Sequence, residues 1–582
     1  MWFMKSTLLV VVSYLLFMAQ AQGQATNIIS TNPLAEQVML GSYDPASFAA
    51  STILNDPDTI SKGINTGVSP DSLHSYLVAL SSFQNRNTGS DTVSSTKGIG
   101  AARRWVYSKF EQISAANENR LIPSYLQFDK AICSANQHRN IFAVLPGMDT
   151  SDKSIVLIEA HIDSRCADLC DTACLAEGIE DNGSGSALVI ELARVMSKYS
   201  YNHTLVFVLT IAEEQGLDGA EAFADYVQQK NIAVKSVFNN DVVGGVICGE
   251  TSSPPSCPGV GLIDSTNLRL FSFSSYNSMH KQLARYVKLQ YKEMVLPVAT
   301  VPMSINIMTP EDRTGRGGDH IPFRAHGYRS IRFTSANEHG NADVTAANYA
   351  DRQHTSGDVL GKDVNLDGII DSFYVDFNYL ARNAVINGNA MGMIAISPKT
   401  PDFTLSQSGS DLTVQITQEQ QYLYYRIGLR TLTNDWDSLY TFTGSTTHTL
   451  TLPDDNYKVS VASVDNKNIE SLFSKELTSN ISLVNDIEQP AAPIELLQNK
   501  PNPFDEATMI GVLVNELPVY REAYLSIRDI ASGKEVRRMP IKLETGMNEV
   551  MYSHGYHATG IFVYSLIIDG KTIASKKMAF AN

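Results

Sequence analysis

Most of the residues best suited to chemistry stand at the ends of strand-like stretches of the chain. His161 and Asp163 follow the run Ile155–Ala160, and Glu213 and Glu214 follow Leu205–Ile211. Asp241 follows Val234–Asn239, Asp181 opens Asp-Asn-Gly-Ser-Gly, and His354 lies within Gln353–Asp358. Two histidines and three carboxylates brought together suit a pair of divalent metals. Imidazole plus carboxylate is a ligand set that zinc accepts, and a shared carboxylate bridges ions about 3.5–4 Å apart. Adjacent Glu213 and Glu214 can divide the work, one binding metal and one taking a proton. Taken singly, each residue has an ordinary reading: a core histidine, a surface histidine, a helix cap at Asp181, a solvated Glu-Glu loop. Their conjunction in order outweighs those readings.

The elements that must position them read as an α/β fold. Ile141–Leu145, Ile155–Ile158 and Leu205–Ile211 are short apolar runs of strand type and Val234–Asn239 reads as the next strand, with helical stripes at Ser184–Lys198 and Asp218–Gln229 between them. That alternation predicts a mostly parallel sheet covered by helices, whose ligand-binding groups lie beyond the strands' carboxyl ends. Two helices precede it, one near Asp71 with Ser69 or Asp71 as cap, the other from about Gly98 to Ala115. The stretch 22–67 is rich in Asn, Ser, Thr and Asp and reads as a loosely structured lead-in or propeptide.

His161-x-Asp163, the Asp-Asn-Gly-Ser-Gly from Asp181, Glu213-Glu214, Asp241 and His354-Thr355 with Asp358 together resemble the secreted zinc aminopeptidases with two co-catalytic metals. That family also holds glutamate carboxypeptidases and glutaminyl cyclases, and the likeness covers about residues 70 to 395. The resemblance implies that Asp181 bridges both zincs, with His161 and Asp241 completing one site and Glu214 and His354 the other. It makes Glu213 the general base and Asp163 the residue that orients His161, and it implies a zinc-bridging hydroxide as nucleophile. The loop from Gly315 to His320 resembles the family's loop near the substrate, which assigns Asp319 and His320 to substrate contact; His320 is also a weaker candidate for the last metal ligand. A single-zinc glutaminyl cyclase is the enzymatic alternative, although Gln353 stands where the cyclases carry Trp. A catalytically inactive binding protein is the third reading.

The 582 residues, 43% hydrophobic and 18% charged, are expected to form several domains. A net charge of −16 disfavours nucleic acid as a partner. Lys5, the apolar run to Ala19 and the small-residue pattern Ala19-Gln20-Ala21 read as a signal peptide over 1–21, with no membrane span in the mature protein. The expected location is therefore outside the cell or on its surface. Six cysteines in an exported chain read as disulfides, with Cys248–Cys257 closing a short loop. The four-residue spacing of Cys166, Cys170 and Cys174 would suit one helical face. Asp363–Asp371 resembles the first nine positions of a calcium loop, but Tyr374 stands where the bidentate Glu belongs, so calcium is a lesser expectation beside zinc.

After the peptidase-like region 68–396, two all-β modules are expected. Alternating strands over 397–484 have the rhythm of a fibronectin type III sandwich. A linker over 485–495 leads to 496–582, where Leu497–Phe504, Gly560–Tyr564 and Lys576-Lys577-Met578 resemble the C-terminal sorting domain of the type IX secretion pathway. That resemblance implies export past an outer membrane, with the secretion machinery as partner beside a peptide or protein substrate.

Overall fold

The protein is described by a computed structural model. It describes residues 24–251, 257, 259–273, 278–313, 316–336, 351–417, 422–431, 434–453, 455–481, 493–500, 502–504, 507–530, 533–553 and 560–580. The expected signal peptide and most of the expected linker lie outside these residues.

Nine strands form one sheet: β1 (Thr26–Ser30), β2 (Ile122–Ile132), β3 (Ala135–Leu145), β4 (Ile155–His161), β5 (Thr204–Thr210), β6 (Val234–Asn240), β7 (Asn267–Phe271), β8 (Ser304–Ile307) and β9 (Ser330–Ser335), in the order β1-β2-β3-β5-β4-β6-β9-β7-β8. The central run β5-β4-β6-β9 is parallel. The β1-β2-β3-β5 side and the β9–β7 pairing are antiparallel, so the sheet is mixed rather than mostly parallel. β2 and β3 join through a tight turn at Cys133 and Ser134, which makes that pair antiparallel.

Helices α1 (Pro33–Met39), α2 (Pro57–Gly67), α3 (Pro70–Ser81), α4 (Gly98–Ala116), α5 (Ser184–Met196), α6 (Asp218–Gln229), α7 (Met279–Gln290), α8 (His320–Ala325) and α9 (Phe377–Ile396) cover both faces. One core contains residues of α2, α3, α4, α5, α7 and α9; the other lies beneath α1, α6 and α8. Strands β4 and β5 are buried along their whole length, which is why Ile155–Ile158 and Leu205–Leu209 read as unbroken apolar runs. The Ser69 hydroxyl accepts from the Ser72 N–H (3.2 Å) and fixes the start of α3.

The segment 22–67, expected to be a loose lead-in, is built into this domain from residue 24 on. β1 pairs with β2 at the sheet edge, and α2 buries Ile60 and Ile64 completely against the main core. Asp56 caps α2 by accepting from the Thr59 N–H (2.9 Å), with Pro57 at the first helical position.

The remainder is all-β. Residues 403–481 form a three-stranded and a four-stranded sheet, and residues 494–580 form another such pair with a separate apolar core. The first unit does not stand apart from the peptidase-like domain: Ala462, Ile469, Leu472 and Phe473 belong to the main core. Buried Arg285 of α7 meets Glu476 (3.0 Å), which Arg430 also holds (2.6 Å). The second unit touches the first through polar pairs, buried Lys458 with Glu549 and the more open Lys500 with Asp455.

All six cysteines pair, as Cys133–Cys170, Cys166–Cys174 and Cys248–Cys257. Cys166, Cys170 and Cys174 lie on an irregular loop, not on a helical face. In the calcium-like loop the Asp363, Asp367 and Asp371 carboxylates accept from backbone N–H groups of the loop itself.

Candidate metal centre

Three adjacent parallel strands deliver the site. β4 ends at His161, β5 runs into Glu213 and Glu214, and β6 runs into Asp241. From β4 the chain goes to one neighbour and then crosses to the other, so these strand ends flank a topological switch point, where open α/β sheets hold their ligands. Asp181 comes from the turn before α5. That turn is pressed against β6: a Cβ on Gly185 would fall 2.1 Å from the Asn240 carbonyl oxygen, so only glycine permits the approach. His354 arrives from the loop beyond β9.

His161 Nε2 lies 3.2 Å from Asp181 Oδ1 and 3.5 Å from Asp241 Oδ1. His354 Nε2 lies 3.0 Å from Asp181 Oδ2 and 3.2 Å from Glu214 Oε2. Asp181 thus presents one oxygen to each histidine. Glu213 Oε2 stands 4.0 Å from His161 Nε2, its side chain 13% exposed where that of His161 is 1%. Two overlapping sets, His161–Glu213–Asp241 and His161–Asp181–Glu214, each place their donor atoms within 4.8 Å of one another.

The residues present fit divalent metal. His161 Nε2, Asp241 Oδ1 and Glu214 Oε1 are buried without a hydrogen-bond partner, and all three belong to this cluster. Buried polar atoms are nearly always paired, so His161 Nε2 and Asp241 Oδ1, 3.5 Å apart and both without a partner, mark a place for a cation. Electrostatics agree. Burial pushes the Glu213 carboxyl well above the usual range, with Asp241 and Glu214 adding to the shift against the opposing pull of His161. Burial acts in the same direction on Asp181, but the two histidines override it and hold that carboxyl well below its ordinary value.

Supporting residues fix these positions. The Asp163 carboxylate lies 3.5 Å from His161 Nδ1 and accepts from the backbone N–H groups of Glu213 and Glu214, both at 3.4 Å. One side chain therefore ties the ends of β4 and β5 together. Asp358 accepts from the N–H groups of Glu180 (2.9 Å) and Asp181 (3.0 Å), and burial pushes its carboxyl up to about 7.

Residues not foreseen from sequence complete the shell. Arg332 of β9 is fully buried and pairs Nη2 with Asp241 Oδ2 (2.9 Å) and Nη1 with Asp312 Oδ2 (3.0 Å). Arg165 donates from Nε to Glu214 Oε2 (2.7 Å). Glu180 accepts from the Gly244 and Gly245 N–H groups and so fastens the turn at Asp181 to the chain beyond β6. The one available signal was an arginine inside the otherwise apolar or small-residue run Ser330–Ser335.

Asp319 and His320 are corrected. Both are fully buried: Asp319 accepts from the Thr210 hydroxyl, and His320 Nε2 lies 3.1 Å from the Glu311 carbonyl oxygen. A side chain with no exposed surface cannot touch substrate, and neither residue belongs to the two donor sets. Both instead support the layer beneath the strand ends.

Residues 140–371 match the family described as Peptidase family M28, and this span contains every candidate ligand. A relative from Phaeosphaeria nodorum, named "Probable zinc metalloprotease", is 29% identical over 374 residues, covering 59% of this chain and 71% of the relative. Another with that name, from Pyricularia oryzae, is 30% identical over 344 residues, covering 57% and 65%. Among solved structures, the LapA aminopeptidase of Legionella pneumophila aligns at 18% identity over 58% of this chain and 74% of its own, with a TM-score of 0.42. The family match and the donor cluster agree on the enzyme class, a zinc metallopeptidase.

Proposed function

We propose that this metallopeptidase is a secreted exopeptidase, most consistent with an aminopeptidase, that works with two zinc ions and Glu213 as general base. The observation that carries the reading is Asp181, whose two oxygens face His161 and His354 separately while Asp241 stands beside one histidine and Glu214 beside the other. That is the layout of two cation sites sharing one carboxylate. The choice of the amino end rests on the motif resemblance.

His161 and Asp241 would hold one ion, Glu214 and His354 the other, with Asp181 common to both. Bound there, zinc supplies a Lewis acid for the scissile carbonyl and lowers the pKa of the attacking water. Glu213 has the right position for the proton: its carboxyl borders the cluster yet keeps an exposed edge. It takes the proton of the attacking water and returns it to the leaving amine. The Asp163 backbone carbonyl accepts from His161 Nδ1 (3.1 Å) with its carboxylate 3.5 Å away, leaving Nε2 to face the cluster. Arg332 offsets the Asp241 charge while leaving Asp241 Oδ1 available.

The secretion reading rests on the signal-like N-terminus and on the likeness of 496–582 to a type IX sorting domain; the fibronectin type III reading of 397–484 rests on strand rhythm. The direct test of function is a panel of aminoacyl and N-blocked peptide substrates, assayed before and after chelation and zinc return. Zinc-dependent cleavage confined to free amino ends is expected. Cleavage of N-blocked peptides from the carboxyl end would overturn the aminopeptidase choice, and cyclisation of N-terminal glutamine without hydrolysis would overturn the peptidase.

A further inference from the structure

A third donor cluster lies apart from the catalytic one, between α6 and α8. Glu221 and Asp225 are four residues apart on α6 and so share one face of the helix. His326 follows the last residue of α8, and its Nε2 sits 3.0 Å from Asp225 Oδ1 and 3.8 Å from Glu221 Oε1. All three donor atoms fall within 4.8 Å of one another.

We propose that Glu221, Asp225 and His326 form a further metal site, suited to a zinc-type divalent ion, that braces α6 against α8. Four observations carry this. First, His326 Nδ1 lies 2.8 Å from the Pro322 carbonyl oxygen, a group that only accepts, so the ring donates from Nδ1. In the neutral ring Nε2 then carries the lone pair and faces two carboxylate oxygens, an arrangement of acceptors that needs a positive charge among them.

Second, the outer atoms of two ligands are tied by groups outside the cluster, as ligating histidines and carboxylates usually are. The Pro322 carbonyl holds His326 Nδ1, and the Gln24 amide donates to Asp225 Oδ2 (3.2 Å), leaving Oδ1 to face inward. Third, the spacing suits the ion. Ligand atoms around tetrahedral zinc, with bonds near 2.0 Å, stand about 3.3 Å apart; the two separations here, 3.0 and 3.8 Å, bracket that value. Fourth, the chemistry selects the metal. One imidazole with two carboxylates suits zinc and its neighbours, whereas calcium takes an all-oxygen set. The Asp225 and His326 side chains are 6% and 11% exposed, and Glu221 at 41% leaves the entry side open.

The rival occupant is a proton on Nε2. Burial opposes that charge, but the Pro322 carbonyl, Asp225 and Glu221 together raise the His326 pKa above its ordinary value. The site is placed to matter: α6 begins just after the Glu213–Glu214 loop, and α8 begins just after Asp319, beneath the strand ends. Gln24 brings the start of the described chain to the same point.

The test is zinc titration of the purified full-length protein after chelation, at about pH 8 so that the proton competes weakly. The wild type is compared with His326→Ala and Glu221→Gln, reading bound zinc per chain and melting temperature. Wild type is expected to bind one equivalent more than His326→Ala and to gain in melting temperature from it. Glu221→Gln, at an exposed position, should fold and weaken that equivalent about tenfold or more. An anomalous zinc peak between His326 Nε2 and Asp225 Oδ1 is the crystallographic counterpart. Equal zinc in wild type and His326→Ala overturns the proposal. If His326→Ala does not fold, an unchanged affinity in Glu221→Gln overturns it. The comparison is a difference between variants, so it holds whatever number of ions the catalytic cluster takes.

Discussion

At the scale of single residues, the ligands and the base were legible because each belongs to a short motif with its own chemistry and His161, Glu213, Glu214 and Asp241 also follow a strand. The groups that set their properties were not, because they act across the sheet from elements far away in sequence. Arg332 is separated from Asp241 by two strands' worth of chain, and nothing local marks it as the partner of that carboxylate. Its removal is informative: Arg332→Met leaves Asp241 buried without its arginine and Asp312 with Arg313 alone. Breaking a buried pair on one side costs about 3–5 kcal/mol, and denaturant unfolding of the variant should show a loss of that size. Asp163 is subtler, since Asn keeps its shape. Asp163→Asn places an amide where a carboxylate now receives the Glu213 and Glu214 N–H groups and faces His161 Nδ1. Zinc affinity should fall about 10- to 100-fold, measured by competition with a chromophoric chelator, while the fold survives.

At the scale of elements, the central strands and the helices between them matched their sequence signals closely, since fully buried parallel strands and amphipathic helices are the strongest patterns a chain carries. The segment before residue 68 carried no such signal. β1 is an edge strand with no fully buried residue, and α2 shows only a narrow apolar stripe among Asn, Ser, Thr and Lys. Edge pairing and one-sided packing come from tertiary context, which periodicity does not report. The consequence is testable at Ile64, which is fully buried in the main core. Ile64→Ala should cost about 2–5 kcal/mol of stability, read from chemical denaturation; a change below 1 kcal/mol would return this segment to the role of a loose lead-in. The mixed character of the sheet has a related cause: β2 alternates in burial and β3 ends in a continuous buried run, and the antiparallel pairing of β3 with β5 is set by the completed sheet.

At the scale of the whole molecule, the two β units differ in how they are attached. The unit spanning 403–481 has a core of its own but also adds Ala462, Ile469, Leu472 and Phe473 to the main one and buries Glu476 against Arg285, whereas the unit spanning 494–580 meets its neighbour through ion pairs. A chain ending between Asp486 and Pro493 should therefore fold and keep its turnover, whereas one ending near Ser397 should not fold, as limited proteolysis and circular dichroism would report. The C-terminal unit should be needed for export; secretion of the shorter chain at the full level would contradict that role. The account as a whole turns on the catalytic cluster, and the sharpest measurement is zinc content together with turnover in Glu213→Gln beside Glu214→Gln, made in the full chain. Glu213→Gln should keep the wild-type zinc complement and lose about 10²- to 10⁴-fold in rate, while Glu214→Gln should lose zinc from one site. Zinc lost from Glu213→Gln but retained in Glu214→Gln would exchange the two roles, and full activity in both would contradict the account.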